Sequence, residues 1–227
     1  MPRGPSSIFD EARAAFAAAG QTIANVRRDF PEWHRGRPRY ALWAVDVDVP
    51  AVRDAVSAAG TQLADLLLPD YRRQPHITLG LCGFPVAEPR EPDDFGPTEL
   101  SGQLAALRAL APAPFDIDIG LLASFSSAPF LAVHDPQGGI ARLRRSLTSA
   151  QPEWAEPDGA YTPHVTVGLY AGSWPTADIQ RRLDRVPAGP ALRCRVDRIG
   201  LMHYAAAEIG GPLTTEAEFH LATRQFG

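Results

Sequence analysis

The segment PHITLGL at residues 75–81 returns as PHVTVGL at residues 163–169, so this chain of 227 residues is constrained first of all to fold as two related halves. The duplication extends beyond the heptapeptides. Ahead of the first, residues 40–49 alternate like a strand and end at Pro50, and residues 51–68 carry leucine and alanine at helical spacing. Ahead of the second, FLAVHD at 130–135 is strand-like and 138–150 is helical. Tyr40 precedes His76 by 36 residues, and Phe130 precedes His164 by 34. Each histidine segment, the second spanning 162–170, is followed by a predicted helix, 98–110 or 176–185. A strand with Ile119-Gly120-Leu121-Leu122 or Ile199-Gly200-Leu201-Met202 then follows. A short strand at 217–222 completes an α+β protein of two similar lobes.

Residues outside the duplication are read differently. Ser7, with Asp10 three positions on, opens an alanine-rich helix predicted over 7–28. The Arg-dense stretch RRDFPEWHRGRPRY then serves as a solvated connector. The domain division is therefore 1–38 as a helical extension and connector, and 39–227 as the duplicated domain. The first half carries an extra loop at 85–97, rich in Pro, Asp and Glu, which is expected to be exposed and mobile.

Composition limits the partners. Apolar content of 45% and charge of 21% suit a globular protein, and a net charge of -4 gives no bulk attraction to long nucleic acid. Every basic side chain is arginine, so Schiff-base chemistry is excluded and guanidinium is the strong cation available for phosphate. Cys82 and Cys194 form neither a zinc framework nor a secreted disulfide scaffold, Asp10, Glu11 and Arg13 interrupt any leader-like apolar core, and no apolar run reaches membrane-spanning length. The expectation is a soluble, cytoplasmic protein with no membrane contact and no obligate protein partner.

In a strand, alternate residues share a face. His76, Thr78 and Gly80 then point one way and Ile77, Leu79 and Leu81 the other, with the same division at His164, Thr166 and Gly168. The polar face offers an imidazole, a hydroxyl and a glycine gap. If the halves are related by a pseudo-twofold axis, two imidazoles and two hydroxyls meet in one cleft, an inventory suited to phosphoryl transfer. One imidazole takes a proton from water, the other gives one to the departing oxygen, and the hydroxyls donate to phosphate oxygens. No metal or cofactor is needed, and neither motif has a neighbouring Cys, carboxylate or helically spaced second His to make a zinc site.

These residues resemble the two-histidine (2H) phosphoesterase superfamily, whose signature is a duplicated His-x-Thr/Ser motif. The branch is that of the bacterial 2'-5' RNA ligase-like proteins, and RYALWAVDVDVP at 39–50 is similar to the first strand of that branch. The resemblance covers roughly residues 39–222. It implies two pseudosymmetric lobes of antiparallel sheet with flanking helices, a catalytic cleft between them, and metal-independent opening of 2',3'-cyclic phosphates at RNA or oligonucleotide ends to leave a 2'-phosphate. Some members join RNA through a 2'-5' bond. By position, His76 and His164 would be acid and base, and Thr78 and Thr166 would hold the phosphate. Leu81 stands where relatives often carry an aromatic residue.

Arg73 and Tyr161, each three residues before a motif histidine, are further candidates for phosphate contact, and Tyr40, Trp43, Phe125 and Tyr204 for stacking a base. His34, His134, His203 and His220 lack the motif and receive no chemistry, and Arg142, Arg144 and Arg145 read as a solvated face. The rival substrates are another small cyclic nucleotide, such as an ADP-ribose cyclic phosphate, or a 2'-5' oligoadenylate. The rival class is a non-catalytic module holding RNA ends or nucleotides.

Overall fold

A computed structural model describes residues 5–149, 161–187 and 189–227, with the side chains of 5–8 outside the description. In chain order the helices are α1 (Pro5–Ala19), α2 (Pro31–His34), α3 (Pro50–Gln62), α4 (Pro97–Leu110), α5 (Gly139–Ser149) and α6 (Thr176–Leu183). The strands are β1 (Arg39–Asp46), β2 (His76–Pro85), β3 (Asp94–Phe95), β4 (Phe115–Ser124), β5 (Pro129–His134), β6 (His164–Thr166), β7 (Leu192–Val196), β8 (Arg198–Ala205) and β9 (Thr214–His220).

Local chemistry sets the helix starts. Pro50 and Pro97 occupy first-turn positions where a missing N–H costs nothing. The Asp135 carboxylate accepts from the backbone N–H groups of Gly139 and Ile140 at 2.8 and 2.7 Å, capping α5.

The strands form two sheets, ordered β3-β2-β1-β8-β9 and β6-β5-β4-β7. All strand pairings among the described residues are antiparallel except the short β2–β3 ladder. Each lobe thus centres on a matched trio, β2-β1-β8 or β6-β5-β4. The lobes are not the two sequence halves. The third strand of each half, β4 or β8, crosses into the sheet of the other half, because a tight turn closed by Phe125 N–H on the Ala128 carbonyl (2.9 Å) folds β4 back onto β5. One apolar core joins the outer faces of both sheets: Trp43, Ile77 and Leu79 of the first pack in the same cluster as Ile117, Val133 and Val165 of the second, with Leu107 and Leu143 from α4 and α5.

Several expectations change. The first helix begins at Pro5, ahead of Ser7, and ends at Ala19, where Gly20 takes φ +72° and turns the chain. Residues 21–28 run instead as a strap: Ile23 N–H donates to the Ser126 carbonyl at 2.7 Å, Asn25 Nδ2 to Ser127 and Tyr170 carbonyls at 2.9 and 3.0 Å, and Arg27 to the Pro69 carbonyl at 3.0 Å.

The connector is not simply solvated. Trp33 packs on Tyr40 and Phe84 with centroids 5.1 and 4.9 Å away, and Arg37 lies over the Phe84 ring while pairing with Asp93 and Asp94 at 2.6 and 2.7 Å. Those pairs also fix the extra loop, whose Asp94 is buried and accepts from the Arg90 and Glu91 backbone N–H groups, so this loop is anchored rather than loose at 93–95. The second histidine strand is only three residues long, its remainder bonding irregularly to Pro129 and Ser127. No helix among the described residues is long and apolar enough to cross a membrane.

Candidate active site

Both histidines lie at the start of a strand next to the central strand of their sheet. His76 sits opposite Asp46 of β1, and His164 opposite Ala132 of β5. The two rings are held by the same bond: Nδ1 of His76 meets the Gln74 carbonyl at 2.8 Å, and Nδ1 of His164 meets the Thr162 carbonyl at 2.8 Å. A carbonyl can only accept, so Nδ1 carries the proton in each ring and Nε2 is the basic nitrogen. Burial pushes the His76 pKa down to about 4, with the Arg73 guanidinium and the charge of His164 adding to the depression and the Gln74 bond opposing it. His76 is therefore neutral near pH 7, and the two imidazoles lie close enough to affect each other's charge.

The strands that carry them are joined across the lobes. The Tyr161 hydroxyl donates to the Thr78 carbonyl at 2.6 Å, and Arg144 of α5 donates to the Leu79 carbonyl at 2.6 Å while stacking 3.4 Å from the Tyr161 ring centroid. Thr78 and Thr166, both half-buried, follow their histidines by two residues on the same side. Burial pushes the pKa of Tyr71, in the loop before β2, upward, with the Arg73 cation and the nearby Thr166 hydroxyl opposing the rise. Tyr71 thus reaches from one lobe to the other, and it lies in a loop with no periodic pattern to mark it.

Arg73 stands beside His76. Its guanidinium lies 4.2 Å from the Tyr204 ring centroid, and its Nε donates to the Gly211 carbonyl at 3.2 Å. Phe125 meets the His164 ring edge-on at 4.9 Å and stacks on Phe130, so it borders the site. Tyr204 is half-buried beneath Arg73, and Tyr40 lies deeper, 5.7 Å from Tyr204.

Two candidates fall away from ligand contact. Trp43 is fully buried in the core, with Nε1 donating to Gln103 Oε1 at 2.7 Å, so no base can stack on it. The Tyr161 hydroxyl is engaged by backbone and joins β2 to the second lobe instead of reaching toward phosphate.

The glycine gap is corrected at one motif only. A Cβ on Gly168 would lie 2.9 Å from Leu67 Cδ1, which marks a packing contact, whereas one on Gly80 would meet nothing within 4 Å. A bulge precedes Gly80: Trp43 pairs with Gly80 and Ala44 with Thr78, so Leu79 is the extra residue and the alternation flips after it. Leu81 consequently pairs with Leu42, sharing a face with Ala44, Met202 and Leu213 on the side of His76 and Thr78, and it is 47% exposed.

Around this face the N-terminal residues close both far ends. Trp33 covers Tyr40 and Phe84 on the first sheet, and Phe9 and Ala12 of α1 pack against Phe130, Ala123 and Phe125 on the second. Among the described residues no group of three or more His, Cys, Asp or Glu side chains is placed to hold a metal ion.

Comparison with known proteins agrees with this fold. Residues 52–208 match the family model described as the 2'-5' RNA ligase superfamily. No curated protein matches the sequence. Among solved structures, TT0787 of Thermus thermophilus is similar with a TM-score of 0.54 and 22% identity over 81% of this chain and 98% of that one. LigT of E. coli, solved with 3'-AMP, gives a TM-score of 0.52 and 19% identity over the same shares. At these identities the structures speak for the shared fold.

Proposed function

The chain belongs to the 2'-5' RNA ligase superfamily, and from that premise we propose that it hydrolyses a 2',3'-cyclic phosphate at a nucleotide, oligonucleotide or RNA end, leaving a 2'-phosphate. The observation that carries the reading is the matched pair of imidazoles, each with Nδ1 tied to the carbonyl two residues back, lying close enough for the charge of one to bear on the other.

The two rings take different parts. Neutral His76 is the general base: its Nε2 takes a proton from water as the water oxygen bonds to phosphorus. His164, entering as the imidazolium, gives its Nε2 proton to the 3' oxygen as the P–O3' bond breaks, so that the 2'-phosphate and a free 3'-hydroxyl remain. Thr78 and Thr166 donate to the non-bridging oxygens, whose charge grows in the transition state. The Arg73 cation favours an anion at the site and also keeps His76 unprotonated. Tyr71, close beside Thr166, takes the part of a residue that positions that hydroxyl.

Incubation with a 2',3'-cyclic nucleotide in excess chelator, followed by product analysis, tests the reading. Turnover to the 2'-phosphate supports it. Binding without product would make the protein a nucleotide-binding module, and turnover abolished by chelation would make the reaction metal-dependent.

A further inference from the structure

His76 is the first residue of β2, so whatever sets its ring lies at the margin of the ladder. The Pro75 carbonyl still bonds there, accepting from Val47 N–H just past the end of β1 at 3.2 Å. Gln74 is one residue further out, and the proline after it confines its backbone to extended conformations. Its carbonyl is the acceptor that holds His76 Nδ1 at 2.8 Å. The direction of that carbonyl therefore decides which imidazole nitrogen carries the proton.

The half-buried side chain of Gln74 holds its own backbone in place. Nε2 donates to the Leu213 carbonyl at 2.6 Å, and Oε1 accepts from the Leu213 N–H at 2.7 Å. An amide paired with both backbone groups of one residue does what a neighbouring strand would do, beyond the point where the ladder ends. Leu213 is buried and immediately precedes β9, and the residues before it seat the rest of the approach to β2: Arg72 N–H donates to the Gly210 carbonyl at 2.9 Å, and Arg73 Nε to the Gly211 carbonyl at 3.2 Å. Gln74, Leu213 and His76 border one small cavity with Asp46, Met202 and Thr215, so the clamp lies directly beside the ring. The second motif repeats the backbone part, with the Thr162 carbonyl on His164 Nδ1 and the Pro163 carbonyl accepting from Val133 N–H at 3.1 Å, but it carries threonine where the first carries an amide.

We infer that Gln74 is a positioning residue for the general base: by clamping Leu213 with its side chain it fixes the carbonyl that keeps the proton on His76 Nδ1, and so keeps Nε2 free to take the proton from water. The inference rests on the reading of His76 as the base and adds the residue that sets its tautomer and aim.

The test uses Gln74→Met, which keeps the length of the side chain and removes both bonds, and Gln74→Asn, which keeps the amide but leaves it one methylene short of Leu213. Nitrogen NMR of the histidine rings is read together with kcat and KM for 2',3'-cyclic CMP. Parental His76 should show a protonated Nδ1 and an unprotonated Nε2. In both variants the proton should be shared between the two nitrogens while the His164 signals keep their parental positions. kcat should fall by about tenfold with KM within about twofold, because a misdirected base loses the chemical step and keeps the substrate contacts. Parental kcat, or a His76 spectrum unchanged by the substitution, overturns the inference and leaves the phosphodiesterase reading intact. Signals of both histidines moving together would mark a general loosening and overturn it as well. Should Gln74→Met fail to fold, Gln74→Asn carries the same comparison. A parental protein that turns over no cyclic nucleotide overturns the reading of His76 as base, and the ring spectra, which need no substrate, decide separately whether Gln74 sets the tautomer.

Discussion

The hydroxyl of Tyr161, in the segment entering β6, donates to the carbonyl of Thr78 on β2 at 2.6 Å, tying the two histidine strands together across the lobes. Tyr161→Phe keeps the ring under Arg144 and removes this bond. The cost should be on the order of 1 kcal/mol of stability, read as a fall in the thermal midpoint, with a smaller loss of kcat than for either histidine variant.

His76→Ala and His164→Ala should each lower turnover of a 2',3'-cyclic nucleotide by ~100-fold or more, since each removes a proton-transfer group. Circular dichroism should remain native. Near-parental turnover by either variant would remove that histidine from the mechanism.

The pH dependence follows from the depressed His76 pKa of about 4. Below that value the ring is charged and cannot act as a base, so the acidic limb of kcat/KM should fall near pH 4 to 5 instead of near the ordinary imidazole value of about 6.5. The same shift acts on stability. Between about 4 and 6.5 the unfolded chain binds the proton that the folded ring refuses, so this contribution is complete above pH 6.5 and is lost as pH falls toward 4. Denaturant titrations across that window, compared with His76→Gln, read it directly. Equal slopes in the two proteins would count against a buried neutral ring.

Thr166→Val should lower kcat/KM by roughly 10- to 100-fold, about what one hydrogen bond to a charged group contributes. Tyr71→Phe should act through the same hydroxyl with a smaller loss, and combining it with Thr166→Val should add little beyond Thr166→Val alone, because the part given to Tyr71 is exerted on Thr166. Independent, additive losses would mean that Tyr71 works elsewhere.

The histidines and threonines were legible because a period of two and a repeated heptapeptide place them without knowledge of the turns. Leu81 was not: its face depends on the bulge at Leu79, a backbone event that simple alternation cannot register, and it moves this residue from the expected core side to the side of His76 and Thr78. Strand β7 escaped because Arg193 and Arg195 make it read as charged, although Leu192, Cys194 and Val196 alternate with them as a half-buried edge strand would. The positions of β4 and β8 were hidden for another reason. Local pattern identifies a strand but not its neighbour, and the exchange is decided by the four-residue turn between Ser124 and Pro129. Trp43 looked like a stacking surface because its polar partner, Gln103, lies 60 residues away in sequence.

Because β4 and β8 each complete the sheet of the opposite half, the repeat unit is visible in the sequence but is not a separable body. Cutting the chain at Ser126 would leave one fragment with a strand that has no hydrogen-bonding neighbours and another missing the centre of its second sheet. The imidazoles are thus held in mutual register by the weave of the whole molecule, and loosening either lobe should release both rings in a single melting event.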